Sequence, residues 1–248
     1  MPELPEAERA RADIEARALG RRIAAVDDAD SYVCRPHSRG EIAAALRGAR
    51  LTDASRRGKQ IWAETDRGPV LGLHLGMTGR VTIDAPPGPF DRFALEFADG
   101  GRLALRDPRR LGRAVLDPDV SALGPDAAEV GREEFRSRVG RGTAPLKARI
   151  MDQATIAGVG NLIADEALWR ARLSPLLLAG QATPDQLDRL RREIRAVARR
   201  SGPEARVVGE LLAERRPDGH CPRCGSGLSR GRVGGRTTFW CPRCQPAP

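Results

Sequence analysis

The chain has 248 residues, enough for two or three domains with real cores, and carries a formal charge of +9 with a pI of about 10.4. That balance points to a polyanionic partner, nucleic acid first, while only 4% aromatic content argues against single-strand binding on rows of stacked rings. No run of about 18 apolar residues occurs and no signal peptide opens the sequence, so the expectation is a soluble, cytoplasmic protein with no membrane partner.

The opening Met1-Pro2-Glu3-Leu4-Pro5-Glu6 can place a secondary amine and two carboxylates together. Removal of Met1 would free the Pro2 amine, and an α-amino group titrates near 8, so a useful fraction is nucleophilic at neutral pH. A proline amine converts a sugar aldehyde carbon directly into an iminium, an electron sink for elimination, with Glu3 and Glu6 near enough to move protons. The plainer alternative is that Pro5 starts a helix and the glutamates favour its positive end. Ala7, Ala10, Ile14 and Ala18 give that helix an apolar face, and Gly20 ends it.

A short helical pattern follows over Glu41–Arg47, and from Leu51 to Leu116 the period falls to two. Leu71, Leu73 and Leu75 alternate, as do Phe93, Leu95 and Phe97, then Leu103 and Leu105, with a hairpin signal at Asp99-Gly100. This half is expected to be an antiparallel sandwich or barrel. It holds three arginine- or glycine-marked runs: Arg56-Arg57-Gly58-Lys59, His74-Leu-Gly-Met77-Thr-Gly79 and Asp107-Pro-Arg109-Arg110-Leu111-Gly112. An apolar wedge beside an arginine suits the hole left by an extruded base. Each run, taken alone, has an ordinary structural explanation.

Asp117 to Asp126 looks like a hinge, and beyond it the pattern is helical. In Met151–Trp169, Gly158 and Gly160 allow a tight turn before a helix, where Asn161 and the helix amino end could hold a phosphate. Thr183 is expected to cap a helix with Leu187, Leu190, Ile194 and Val197 inward and Gly202 at its close. Among 42 Lys plus Arg, only Lys59 and Lys147 are lysine, and Asn161 is the sole asparagine. A compact, titratable ammonium is what lysine offers that arginine does not.

Cys221, Cys224, Cys241 and Cys244 form two C-x-x-C knuckles, suited to one tetrahedral Zn²⁺ with four thiolate ligands; a redox disulfide pair is the alternative. Gly234 and Gly235 place Arg236 at a tight hairpin tip between the knuckles. Cys34 is expected to be an inert, part-buried thiol.

Together these runs resemble the formamidopyrimidine-DNA glycosylase / endonuclease VIII family, through PELPE, RRGK, HLGMTG, DPRRLG, DQATIAGVGNLIADEALWRARLSP and GRTTFWCPRCQ. The resemblance implies an α+β multidomain fold: an amino-terminal β-sandwich with flanking helices over 1–118, a helix–two-turns–helix domain over 127–210 and a β-hairpin zinc finger over 215–248. It implies a monomeric glycosylase and abasic-site lyase acting on damaged double-stranded DNA; a non-catalytic lesion-binding protein of the same fold is the alternative. By resemblance, Pro2 is the Schiff-base nucleophile, Glu3 the proton donor that opens the sugar and Glu6 a supporting carboxylate. Lys59 is a β-strand lysine on phosphate, and Asn161 and Arg236 are phosphate clamps, Arg236 also aiding elimination. His74 and Lys147 fall among the DNA contacts, and Met77, Arg109 and Leu111 fill the void. Two departures matter. Leu111 stands where many purine-type members carry phenylalanine, and the stretch from Ser201 to His220 lacks both a long Gly-rich loop and the usual Tyr-Gly-Arg. The expectation is retained abasic-site cleavage and weak 8-oxoguanine excision.

Overall fold

The computed structural model describes residues 2–200 and 206–247. The helix stop expected at Gly202 therefore lies outside the described residues, as does Met1. Contacts divide the chain into two compact units, Pro2 with Glu6–Val120, and Glu3–Pro5 with the residues from Ser121 onward.

Most of α1 (Leu4–Arg17), from Glu6 onward, belongs to the first unit; its first turn accepts Pro5 because a backbone N–H at that position would have no intrahelical acceptor. The strands β1 (Ile23–Asp27), β6 (Asp91–Phe97), β7 (Arg102–Arg106) and β5 (Arg80–Ile83) form one four-stranded sheet in the order β1-β6-β7-β5. The strands β2 (Leu51–Arg57), β3 (Gln60–Thr65), β4 (Leu71–His74) and β8 (Arg113–Leu116) form a second, ordered β2-β3-β4-β8. All pairings are antiparallel, and α2 (Glu41–Leu46) flanks them. The alternating residues supply the core: Ile61, Leu71, Leu73, Phe93, Leu95, Leu103 and Leu105 are buried with Ala7, Ala10 and Ile14 of α1. Each large apolar side chain contributes about 1.5–3 kcal/mol on burial. The result is a sandwich rather than a closed barrel. Strand β1 escaped the sequence pattern because Ile-Ala-Ala-Val-Asp alternates weakly and buries one residue fully.

The second unit contains α3 (Arg132–Val139), α4 (Leu146–Met151), α5 (Asn161–Arg170), a 3-10 turn (Ala179–Gln181), α6 (Pro184–Arg199) and the short α7 (Glu210–Ala213). Turns join α4 to α5, giving the expected helix–two-turns–helix arrangement. Helix α6 carries the anticipated cap: the Thr183 hydroxyl accepts from Gln186 N–H (3.3 Å), and the Gln186 side chain accepts from Thr183 N–H (2.8 Å). Leu187, Leu190, Ile194 and Val197 join Leu146, Ile150, Ile163 and Leu168 in its core, with Leu4 among them.

The strands β9 (Ser229–Val233) and β10 (Arg236–Trp240) make the terminal hairpin. It belongs to the same compact unit as the helices. It has little core of its own: Cys221 and Cys241 pack with Trp169 of α5 and Leu211 of α7.

Candidate nucleic-acid interface and metal centre

In the first unit, Met77 and Arg109 are exposed and Leu111 is half-buried, on two loops that one buried acid binds together. The Oδ1 of Asp107 accepts from the Thr78 hydroxyl (2.5 Å) and from Arg109 N–H (3.1 Å). Its Oδ2 accepts from Leu111 N–H and Gly112 N–H, both at 2.7 Å. Burial alone would raise the Asp107 carboxyl, but the Thr78 hydroxyl and the amides of Gly112, Arg109 and Leu111 outweigh it and hold it below its ordinary value. A Cβ on Gly76 would lie 2.4 Å from the Leu111 carbonyl carbon, and its φ is +60°, so only glycine permits this approach. Met77 at 40% exposure is an apolar tip held out by a rigid base. Arg110 is committed elsewhere, its guanidinium donating to both oxygens of Asp30 at 2.8 and 2.9 Å. Sequence inspection missed Asp107 as an organiser, although an acid followed by Pro-Arg-Arg-Leu-Gly in a turn is the available signal.

Lys59 is a correction in place. It lies in the two-residue turn Gly58-Lys59 between β2 and β3, not on a strand. Gly58 has φ +60°, which the first central residue of such a turn requires. Arg56 steadies the turn by donating to Gly58 O (2.8 Å) and pairing with Glu8 of α1 (2.9 Å). His74 ends β4, and its Nδ1 accepts from Gly76 N–H at 3.0 Å. Burial, aided by the Lys59 ammonium, pushes His74 below its ordinary value. The ring is therefore neutral at pH 7 with its hydrogen on Nε2. Pro2 and Glu6 are half-buried, Glu6 in the first turn of α1.

In the second unit, Glu3 is fully buried. Its carboxylate accepts from Gly160 N–H (3.1 Å), Leu162 N–H (2.7 Å) and Ile163 N–H (3.0 Å), capping the amino end of α5. A Cβ on Gly160 would sit 2.2 Å from the Glu3 carboxyl carbon, which explains the glycine. The helix end expected to hold a DNA phosphate instead holds this internal anion, because three amides and the helix dipole already serve it. Asn161 follows immediately and donates from Nδ2 to Thr237 O of β10 at 3.1 Å.

Arg236 is exposed and opens β10 directly after the Gly234-Gly235 tip, whose φ values of +56° and +74° fit a two-residue hairpin turn. Lys147 requires a correction. Its side chain is fully buried and its Nζ lies 2.6 Å from Asp165 Oδ1 and 2.7 Å from Thr238 Oγ1, so the DNA contact expected of it is closed off. Burial pushes the Lys147 ammonium down while Asp165 opposes that shift. Sequence inspection also passed over Asp165 and Glu166, two acids within the otherwise apolar run Leu162–Trp169. Glu166 is buried and accepts from Glu210, Leu211 and Leu212 N–H at the start of α7.

The sulfurs of Cys221, Cys224, Cys241 and Cys244 all lie within 4.8 Å of one another. Cys221 and Cys244 are 3.9 Å apart, and Cys224 and Cys241 are 3.5 Å apart. A tetrahedron with Zn–S bonds of about 2.3 Å has edges of about 3.8 Å, so the donor set fits one structural Zn²⁺. Trp169 Nε1–H points at Cys221 Sγ (3.4 Å), a donor suited to a thiolate. Cys34 is buried and its thiol is pushed up to about 12 by burial and then by Asp28, Asp30 and Asp27, which leaves it inert.

Residues 1–114 match the formamidopyrimidine-DNA glycosylase N-terminal domain, 122–203 its H2TH domain and 220–247 the zinc finger found in FPG and IleRS. A formamidopyrimidine-DNA glycosylase of a Nocardioides species is 37% identical, with 100% of this chain and 95% of that protein aligned. One from Pelotomaculum thermopropionicum is 32% identical over 99% of each. Among solved structures, Lactococcus lactis Fpg with abasic-site DNA is similar with a TM-score of 0.86 and 26% identity, covering 99% of this chain and 100% of that one. MutM (Fpg) from Thermus thermophilus is similar with a TM-score of 0.82 and 33% identity over 98% of each. With all three domains matched in order and relatives aligned end to end, this chain belongs to the formamidopyrimidine-DNA glycosylase family.

Proposed function

We propose that the protein is a base-excision repair DNA glycosylase with abasic-site lyase activity, working as a zinc-loaded monomer on damaged duplex DNA. The observation that carries this is the chain start. Glu3, next to Pro2, is buried and fixed by three amides, and that fixed point steadies the backbone from which the Pro2 imino group would act.

With Met1 removed, the Pro2 nitrogen attacks C1′ of an extruded nucleotide and the C1′–base bond breaks, the electron pair leaving with the protonated base. Loss of the proton from nitrogen and opening of the ring to O4′ give the iminium, with Glu3 as the proton relay and Glu6 in support. The iminium acidifies the 2′ hydrogen. Its removal expels the 3′ phosphate by β-elimination; the reaction ends there or continues through a second, δ-elimination that releases the 5′ phosphate. Lys59, Asn161 and Arg236 hold the backbone phosphates, with His74 as a neutral donor beside them. Met77 and Leu111 fill the emptied space, and Arg109 faces the orphaned base. The bound zinc supplies folding stability to the hairpin and no chemistry.

Leu111 has no aromatic face for stacking. The alignment with the Nocardioides relative runs over 286 positions against a chain of 248, so that relative holds segments this chain lacks. Leu111 and the short stretch from Ser201 to His220, which lacks a long Gly-rich loop, support abasic-site cleavage over 8-oxoguanine excision. Among the described residues no helix is long and apolar enough to cross a membrane, and we assign the protein to the compartment that holds chromosomal DNA.

The test is borohydride reduction during incubation with an abasic duplex, followed by peptide mapping. A covalent adduct on Pro2 is expected from protein lacking Met1. Its absence, or an adduct on another side chain, would favour a lesion-binding role without catalysis.

A further inference from the structure

The buried charges beneath the terminal hairpin form a network that the proposed chemistry does not use. Asp165 Oδ1 pairs with Lys147 Nζ at 2.6 Å, and Asp165 Oδ2 pairs with Arg215 Nε at 2.8 Å and accepts from Phe239 N–H at 3.3 Å. The partners of Asp165 in turn grip β10. Thr237 O accepts from Arg215 Nη2 (2.8 Å), Asn161 Nδ2 (3.1 Å) and Lys147 Nζ (3.4 Å). The Thr238 hydroxyl accepts from Lys147 Nζ at 2.7 Å and donates to Arg236 O at 2.9 Å. An unbroken chain of contacts therefore runs from the Asp165 carboxylate to the backbone of Arg236.

The same hairpin is held at its tip, where a Cβ on Gly234 would lie 2.9 Å from the Ala148 Cβ on α4. Zinc fixes the far ends of β9 and β10 near the cysteines, but the Arg236 end of β10 lies five residues from the nearest ligand, Cys241. At that end the packing of Gly234 on Ala148 is joined by the contacts of Lys147, Arg215 and Asn161 with Thr237 and Thr238. A buried ion pair is weak evidence for stability, because apolar replacements of the same volume are often as stable. What such a network supplies is a defined position.

We infer that Asp165 is a positioning residue, acting through Lys147, Arg215 and the Thr238 hydroxyl to set the register of β10 so that Arg236 meets a DNA phosphate. This rests on the proposed phosphate contact of Arg236, and the experiment separates the two. Binding to a duplex containing a tetrahydrofuran abasic analogue is measured with Arg236 intact and with Arg236→Ala. Each background carries the charge-free pair Lys147→Met/Asp165→Leu or, separately, Arg215→Met, which leaves the Lys147–Asp165 pair in place. Zinc content and thermal melting are recorded for each variant.

Arg236→Ala alone is expected to weaken binding at least tenfold, as loss of a charge-assisted phosphate bond does, by about 10- to 100-fold. The charge-free pair is expected to keep one zinc and to weaken binding about tenfold with Arg236 present, but to add nothing once Arg236 is alanine. Arg215→Met should follow the same pattern with a smaller loss. Unchanged binding in folded, zinc-loaded variants overturns the inference, as does an equal loss in both backgrounds. If the charge-free pair loses zinc, Arg215→Met decides by the same criteria. If Arg236→Ala binds as tightly as the parent, the phosphate contact itself is wrong and the positioning role falls with it.

Discussion

The two loops around Asp107 and the hairpin above Asp165 solve one problem in two ways. Both hold out an arginine proposed to contact DNA, and both rest on a fully buried aspartate. Asp107 is satisfied by neutral donors close in sequence, the amides of Arg109, Leu111 and Gly112, with Thr78 reaching in from the neighbouring loop. Asp165 is satisfied chiefly by cations from elsewhere, Lys147 on α4 and Arg215 fifty residues downstream. The first device is nearly self-contained and shapes its own turn. The second exists only once four elements have packed. An amide-bound loop is therefore expected to survive perturbation of the rest of the chain, whereas the hairpin depends on zinc, charge balance and helix packing together.

Zinc removal is the harshest way to break this comparison. Structural Zn²⁺ contributes roughly 10–16 kcal/mol to small finger folds at pH 7, so chelation or Cys241→Ser should abolish the ordered hairpin and with it phosphate binding through Arg236. Hydrogen exchange should show β9 and β10 losing protection while the sheets of the first unit keep theirs. Loss of protection in both regions would refute the independence of the Asp107 loops.

Next in size, Asp107→Ala strands the amides of Leu111 and Gly112 without their acceptor. A cost of about 3 kcal/mol is expected in urea unfolding, together with weaker binding to lesion duplex. Zinc content should not change. A cost below about 0.5 kcal/mol, the range of neutral surface substitutions, would mean the loops hold their shape without this carboxylate.

The smallest effect is a pH dependence at His74. Its folded value lies below its ordinary one, so the neutral ring stabilises the fold above the unfolded value near 6.5, and that stability is lost as pH falls toward the folded value. Protonation also removes the acceptor for Gly76 N–H, at the glycine that packs on Leu111. Urea midpoints compared at pH 7.5 and 5.5 should fall more for the parent than for His74→Gln. Equal falls would remove His74 from the account.

Much of this was legible in the sequence because it is local. Alternation over Leu71–Leu75 and Phe93–Phe97 gave strands, Thr183 with Gln186 gave a helix start, paired C-x-x-C gave a metal site, and Gly234-Gly235 gave a hairpin. Spacing alone sets such features, since side-chain period and turn chemistry depend on neighbours a few positions away. The candidates Pro2 and Glu3 were visible in the chemistry of the opening residues, and the resemblance assigned their roles. What Glu3 touches was not.

The partners of the buried charges were decided only by tertiary structure. Glu3 finds its amides 157 to 160 residues away, so the backbone amides at the start of α5 serve an internal cap and the phosphate contact proposed there falls to the Asn161 side chain. Lys147 finds Asp165 and Thr238, which turned a presumed DNA contact into a buried anchor. The reason is energetic: a charge taken from water must be met by whichever opposite charge or donor the packed fold brings within about 3 Å, and sequence order does not record which that will be.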